Sequence, residues 1–263
     1  MDPNNTDNVV PLRGTPQRGA GEQGNFYQPE YRLNQERLEQ ASAELPGMNP
    51  RIQRLRKKSF DAEPSISIER ALHQTAFYKQ HNGKYSVPVM RALTFLDHCQ
   101  NKTLYFDRDE LIVGERGPEP KAVPTFPELT CHSVEDLHVL NAREKQPYRI
   151  GQEDIDIYAG EVIPYWQGRT QRERIFSHVP DEWRAAYEAG CFTEFMEQRA
   201  PGHTVLDGKL YIKGMLDYKR EIDEHLLRLD YKHDAEANDK AEELKAMAIS
   251  CDAAIVFAER HAD

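Results

Sequence analysis

The chain has 263 residues, enough for one large domain or two ordinary ones built on a real hydrophobic core. Hydrophobic residues make up 39% and charged residues 30%, with Leu, Ile, Val, Phe and Tyr spread along most of the sequence, so a wholly disordered chain is excluded. The formal net charge of −10 gives no general attraction to nucleic acid or anionic lipid, and no apolar run is long enough to span a membrane. Cys99, Cys131, Cys191 and Cys251 are widely spaced and form no CxxC pair. With no apolar leader at the N-terminus, free thiols in a reducing cytoplasm are the simplest expectation.

In chain order, residues 1–27 hold almost no large aliphatic side chains and read as a disordered tail. Residues 29–45 space Tyr31, Leu38 and Leu45 by sevens, a narrow stripe that predicts a weak linker helix. Residues 1–50 are therefore set apart as tail and linker, and order is expected from residue 51 onward. The basic run RIQRLRKK at residues 51–58 reads as a solvated helix face. Ser67 is a plausible N-cap for a helix with Ile68, Ala71, Leu72 and Thr75 on one face. Pro88 suits a first helical turn, followed by the stripe Val89, Ala92, Leu93 and Leu96.

Residues 104–106 and 111–113 are short β-prone runs around a turn at Asp107-Arg108-Asp109, and the four prolines of residues 118–127 predict an extended loop. Helical patterns return at residues 133–142, 152–166 and 180–189. Residues 190–212 have no clean period, which suits a segment carrying functional side chains. Met215, Tyr218, Ile222, Leu226 and Leu229 mark a further helix. The last helix carries the stripe Ala237, Ala241, Leu244, Ala248, Cys251, Ile255 and Ala258, an apolar face expected to lie open in an isolated chain. The fold class is mainly α with a few short strands.

Self-contained catalytic machinery is missing. There is no GxSxG, HExxH, P-loop or GxGxxG. Cys131 and His132 with His138 do not match zinc spacing, so no metal site is expected. The acidic pairs Glu153-Asp154 and Asp181-Glu182 stand at helix starts, where the helix dipole favours them. From the residues alone, Phe195 reads first as core packing and His203 as a hydrogen-bonded buried histidine, with an apolar pocket wall and a functional histidine as the second readings.

Five segments carry a resemblance: residues 66–71 (ISIERA), 109–117 (DELIVGERG), 124–137 (PTFPELTCHSVEDL), 161–169 (EVIPYWQGR) and 182–205 (EWRAAYEAGCFTEFMEQRAPGHTV). Together they make residues 51–263 resemble the N-terminal part of glycyl radical enzymes of the pyruvate formate-lyase family, nearest in pattern to its hydroxyproline dehydratases. The resemblance implies the helical outer part of an α/β barrel. Inside that barrel a glycyl radical and a cysteine generate a substrate radical, and in the dehydratases water leaves from it. It implies an activating partner of the radical S-adenosylmethionine class for the whole enzyme, a homodimer, and no cofactor bound by this chain itself. Phe195 of FMEQ and His203 of PGHT fall where the family lines its substrate. No catalytic residue is assigned, because the radical glycine context and the GCxE cysteine loop are not present. Gly190-Cys191 imitates that loop, but Glu194 follows the cysteine by three positions, and the surrounding residues match a segment far upstream of it. Glu197 and Arg199 read as a structural ion pair.

Two expectations of different kinds follow. The chain is one portion of a glycyl radical lyase, a dehydratase for a small hydroxylated substrate such as 4-hydroxyproline. Alternatively it is a non-catalytic helical remnant that docks on a full-length enzyme or a protein shell through residues 29–45.

Overall fold

The computed structural model describes residues 47, 49–112, 117–191 and 206–263. The tail and linker helix expected in residues 1–46 lie outside the described residues. Contacts divide the chain into Met1–Lys57 and Lys58–Asp263. Helix α1 (Pro50–Asp61) runs across that boundary and buries none of its residues, as a basic solvated face requires. Its Lys58 pairs with Asp107 at 2.5 Å and Asp109 at 3.8 Å.

The larger unit is helical. Strand β1 (Ser65–Ser67) leads into α2 (Glu69–His81), then α3 (Val87–Asn101), strand β2 (Ala122–Pro124) and α4 (Val134–Ala142). A long helical stretch follows as α5 (Gln152–Ile157), a π-turn (Tyr158–Val162) and α6 (Ile163–Trp166). Next come α7 (Gln171–Phe176), α8 (Asp181–Glu188), a 3-10 turn (Asp207–Tyr211), α9 (Met215–Leu227) and α10 (Ala237–Ala262).

Local chemistry accounts for most boundaries. Ser133 caps α4 in a capping box: its hydroxyl accepts from the Asp136 N–H at 3.0 Å, and the Asp136 carboxylate accepts from the Ser133 N–H at 2.9 Å. Pro88 sits in the first turn of α3, where its missing N–H is no loss. Ser67 stands one residue further out than expected. Its hydroxyl accepts from the Glu69 N–H at 3.4 Å, but the N-cap is Ile68.

The π-turn has an evident cause. Pro164 offers no N–H, and its ring would crowd the carbonyl four residues earlier. The wider turn of Tyr158–Val162 moves that carbonyl aside, with the Ile163 N–H donating to the Tyr158 carbonyl. The turn keeps Ile155, Tyr158, Val162 and Trp166 all facing inward.

The strands are not where β-propensity put them. Residues 104–106 form no strand, and neither do the described residues of 111–113, while Val113 lies outside the description. The pairing instead joins β1 to β2 in parallel, with Ser65 opposite Ala122, Ile66 opposite Val123 and Ser67 opposite Pro124, and Ser65 also bridges to Arg149. The turn at Asp107 is present, closed by the Glu110 N–H on the Asp107 carbonyl at 3.0 Å.

Two apolar clusters hold the unit. The larger gathers Ile66, Ile68, Ala71, Leu137, Ile150, Ile155, Tyr158, Val162 and Trp166 from β1, α2, α4 and the π-turn helix. Trp166 is its anchor: the ring lies 5.4 Å from Tyr78 and 5.2 Å from Tyr165, and its Nε1–H donates to Thr75 Oγ1 at 2.9 Å. The smaller cluster joins Val89 and Ala92 of α3 to Ala246 of α10.

The face of α10 expected to lie open is partly covered, with Ala237 and Ala241 buried, Leu244, Ala248, Cys251 and Ile255 half-buried and Ala258 exposed. That helix packs along both α3 and α9, and it buries Ala237, Ala241, Ala246 and Ala253. Arg260 near its end donates to the carbonyls of Cys99 at 2.7 Å and Lys102 at 2.9 Å, satisfying the last turn of α3. The stripe read from sequence follows one line, whereas the helix is gripped from two sides.

Gly117 shows why the second motif ends in glycine. A Cβ there would sit 2.5 Å from the Ala122 Cβ and 2.6 Å from its carbonyl oxygen, which is backbone and cannot yield. Gly117→Ala is expected to destabilise the unit by about 1–3 kcal/mol, read as a lower urea midpoint at unchanged slope. A variant as stable as the parent would contradict this packing.

A pH dependence follows from α3. His98 packs against His73, with ring centroids 6.0 Å apart, and the buried Nδ1 atoms of both have no hydrogen-bond partner among the described residues. Burial first, then Arg70, Lys102 and His73, push the His98 imidazole down to about 4 from 6.5, against an opposing pull from Glu69. The unfolded chain therefore binds a proton that the folded chain refuses between these values. This contribution to stability is full above pH 6.5 and is lost progressively as pH falls to about 4. His98→Gln is expected to flatten the decline of Tm between pH 7 and 5. Parallel curves for parent and variant would rule the assignment out.

Candidate substrate-segment scaffold

The first and third resemblance motifs meet in one knot of contacts, with the second close beside it. Arg70, from ISIERA, reaches Glu128, from PTFPELTCHSVEDL, with two hydrogen bonds of 2.5 and 3.1 Å. The same guanidinium donates to the Thr125 carbonyl at 3.2 Å and lies 4.1 Å over the Phe126 ring. Such a bidentate, ring-backed pair is specific to arginine, because lysine offers no planar fork. Gly117 from DELIVGERG closes against Ala122, and the β1–β2 pairing ties the first motif to the loop that opens the third.

The fourth motif ends in a designed turn. Gly168 takes a left-handed φ of 74°. The Glu173 carboxylate accepts from the N–H groups of Gly168 at 2.9 Å and Thr170 at 3.1 Å, while the Thr170 hydroxyl donates to it at 2.8 Å and accepts from the Glu173 N–H at 3.0 Å. Burial opposes the charge on Glu173, but these donors outweigh it and hold the carboxyl below its usual range. Helix α7 is thereby capped, and it was missed in the sequence because six residues are too few to show a period.

Helices α7 and α8 pack the start of the fifth motif through aromatic rings. Phe176, Trp183 and Tyr187 form a ring cluster: Phe176 meets Trp183 edge-on at 5.4 Å and Tyr187 at 4.9 Å, and Trp183 stacks on Tyr187 at 5.9 Å. Arg172 donates to the Tyr187 hydroxyl at 2.8 Å and lies 5.0 Å over Phe176. The end of α8 is a Schellman turn. The Gly190 N–H donates to the Tyr187 carbonyl at 2.9 Å and the Cys191 N–H to the Ala186 carbonyl at 3.0 Å, with Gly190 at φ 74°. The chain is next described at Leu206, again left-handed at φ 64°, leading into the 3-10 turn.

Phe195 and His203 lie between these two ends, in residues 192–205, outside the described residues. Glu197 and Arg199 lie there too. Cys191 is described and is exposed. Cys131 lies 3.8 Å from the Tyr158 hydroxyl in the core. Burial raises the pKa of both groups, so both stay neutral and neither serves as a nucleophile near pH 7. Burial lowers the pKa of the neighbouring His132, whereas His138 is exposed on α4. No group of three or more His, Cys, Asp or Glu among the described residues is arranged to hold a metal. No described helix is long and apolar enough to cross a membrane.

Residues 45–263 match the pyruvate formate lyase-like family. The chain is 46% identical over 217 residues to trans-4-hydroxy-L-proline dehydratase of Clostridioides difficile, covering 82% of this chain and 28% of that protein. It is 30% identical over 225 residues to isethionate sulfite-lyase of Desulfovibrio desulfuricans, covering 81% of this chain and 27% of that one. The crystal structure of the C. difficile hydroxyproline dehydratase with trans-4-hydroxy-L-proline bound superposes with a TM-score of 0.77 over 82% of this chain and 27% of the other. The glycerol-bound, B12-independent glycerol dehydratase of Clostridium butyricum gives a TM-score of 0.74 at 29% identity, over 84% of this chain and 28% of the other. The chain belongs to the pyruvate formate lyase-like family of glycyl radical enzymes. It spans little more than a quarter of the length of these relatives.

Proposed function

We propose that this chain forms the helical N-terminal portion of a glycyl radical dehydratase whose substrate is a small hydroxylated molecule such as 4-hydroxyproline. The observation that carries the reading is the 46% identity to the C. difficile hydroxyproline dehydratase, spread over 82% of this chain. In this reading the barrel proper, with the thiyl cysteine and the radical glycine, belongs to the portion of the fold outside the 263 residues. A radical S-adenosylmethionine activase installs that radical, and the complete enzyme is a homodimer. The radical supplies hydrogen abstraction from the substrate.

This chain's own part is to shape the pocket. The α7–α8 ring cluster and the Gly190 turn hold the scaffold up to Cys191, the last described residue before 192–205. Phe195 then gives an apolar wall to a small ring, and His203 donates to a hydroxyl or carboxylate or relays a proton near neutral pH. A closed site keeps water away and strengthens each of these polar contacts.

The test is a hybrid in which residues 45–263 replace the matched part of the C. difficile dehydratase, activated without oxygen. Consumption of hydroxyproline with formation of a product one water lighter supports the reading. A folded, radical-bearing hybrid that leaves hydroxyproline untouched but dehydrates another diol or alcohol would move the substrate. One inert toward every hydroxylated substrate offered would remove the dehydratase proposal.

A further inference from the structure

The turn between α2 and α3 holds the only Asn-Gly pair of the sequence, Asn82-Gly83. The Lys84 N–H donates to the His81 carbonyl at 3.0 Å and closes the turn. Asn82 lies at φ −53° and ψ 128° and Gly83 at φ 77°, the angles of a type II turn, which calls for glycine at its second central residue. Residues 82–85 are all exposed. Among the described residues the Gly83 N–H donates to no backbone carbonyl, and a Cβ on Gly83 would meet nothing within 4 Å.

The other asparagines among the described residues each lack part of this. Asn49 precedes Pro50, which has no N–H to give up. Asn101, Asn141 and Asn238 stand in helices α3, α4 and α10, and the residues after them carry side chains. The N–H after Asn101 is also engaged, since Lys102 donates to the His98 carbonyl at 2.9 Å.

We propose that Asn82 is a site of spontaneous deamidation, and that its product loosens the end of α2. The Gly83 backbone nitrogen passes its proton to hydroxide and attacks the Asn82 Cγ. A C–N bond forms, the side-chain amide nitrogen leaves as ammonia, and a succinimide ring closes. Water opens the ring at either carbonyl to give aspartate or isoaspartate, and nothing is oxidised or reduced. At ψ 128° the Gly83 nitrogen is turned away from Cγ, so the peptide first rotates out of the turn and gives up the hydrogen bond from Lys84 to His81. A single solvent-exposed hydrogen bond is a weak restraint, and glycine passes through the intervening angles without a clash. Asn82 is also the C-cap of α2, its N–H on the Tyr78 carbonyl at 2.9 Å. A carboxylate there faces the negative end of the helix dipole, and isoaspartate routes the backbone through an extra methylene. Lys84 is exposed beside it, and an exposed ion pair offsets little. The last turn of α2 carries Tyr78, whose ring packs on Trp166, so the change reaches the larger cluster. The inference is independent of the proposed function.

The test incubates the folded 263-residue chain at mildly alkaline pH for days and maps its peptides by mass. The peptide holding Asn82-Gly83 is expected to become heavier by the difference between an amide NH2 and a hydroxyl. It should gain isoaspartate as ammonia is released, and faster as pH rises. Asn82→Gln keeps an amide at the turn and is expected to stay unmodified, because its longer side chain closes a larger ring slowly. Asn82→Asp carries the product's charge from the start and is expected to lower Tm by about 2 °C. A folded chain that keeps Asn82 intact while the guanidinium-unfolded chain converts it would show that the turn blocks the attack, and would overturn the proposal. Conversion spread evenly over Asn82, Asn101, Asn141 and Asn238 would overturn it too, since the turn would then confer nothing. An Asn82→Asp variant and an aged chain that both keep the parent's Tm would overturn the effect on α2.

Discussion

In the hybrid enzyme, His203→Ala is expected to lower kcat/KM for hydroxyproline by about 100-fold or more, the scale of losing a positioned acid or base. His138→Ala should leave it within about twofold. His138 stands exposed on α4 and carries no proposed role, so it serves as a matched control. The size of the loss separates two roles. A hydrogen bond to a hydroxyl or carboxylate accounts for roughly tenfold, and its loss raises KM. A proton relay affects kcat and leaves a pH dependence near neutrality. His203→Gln keeps a donor but cannot carry a proton at that pH. It should recover binding and not turnover if the imidazole moves a proton, and both if it only binds. Near-normal turnover in His203→Ala and His138→Ala alike would remove His203 from the pocket.

The second large effect concerns the fold. Trp166→Ala is expected to destabilise the larger unit by roughly 3–5 kcal/mol, enough to unfold a marginal domain. The indole is 3% exposed, lies against Tyr78 and Tyr165, and ties α6 to α2 through the Thr75 hydroxyl. Removing it opens a cavity and leaves neighbours without contacts on one side. Trp166→Phe keeps most of the volume and loses the Nε1–H, so a cost of about 1–2 kcal/mol is expected. The Thr75 hydroxyl still donates to the Ala71 carbonyl, at 2.6 Å, and is not stranded. Urea midpoints of the three proteins at equal slopes check this order. A Trp166→Ala variant within about 1 kcal/mol of the parent would mean that the larger cluster is not anchored there.

Helices were legible where a local signal coincided with a period. Ser133 with Asp136, and Pro88 before Val89 and Ala92, are complete within a few residues, and the helices appear where these signals put them. Residues 152–166 also read as helix, although the π-turn did not. Pro164 was its only herald, and a proline alone does not tell whether a helix breaks or widens. The strands were illegible because three residues carry no alternation and the partner of β1 lies more than fifty positions away. Residues 104–106 had the propensity and lacked the partner. The face of α10 was read only in part: a helix held between α3 and α9 buries Ala246 and Ala253 beside the stripe's own Ala237 and Ala241.

The site was less legible still. Arg70 and Glu128 looked like ordinary charges in the sequence, and only the fold shows them as a bidentate clamp under Phe126. Phe195 and His203 had no periodic or spacing signal whatever. Only the resemblance singled them out, and they lie outside the described residues.

The central claim is that this chain is one portion of a larger radical enzyme. Native mass spectrometry of the protein from the cells that make it, grown without oxygen and then denatured, tests it most directly. The account predicts that the 30.4 kDa sequence is found in a particle several times heavier, holding polypeptide beyond these 263 residues that carries the rest of the fold. A protein of 30.4 kDa, alone or paired only with copies of itself, would contradict the claim and make this chain a helical protein with no lyase activity of its own.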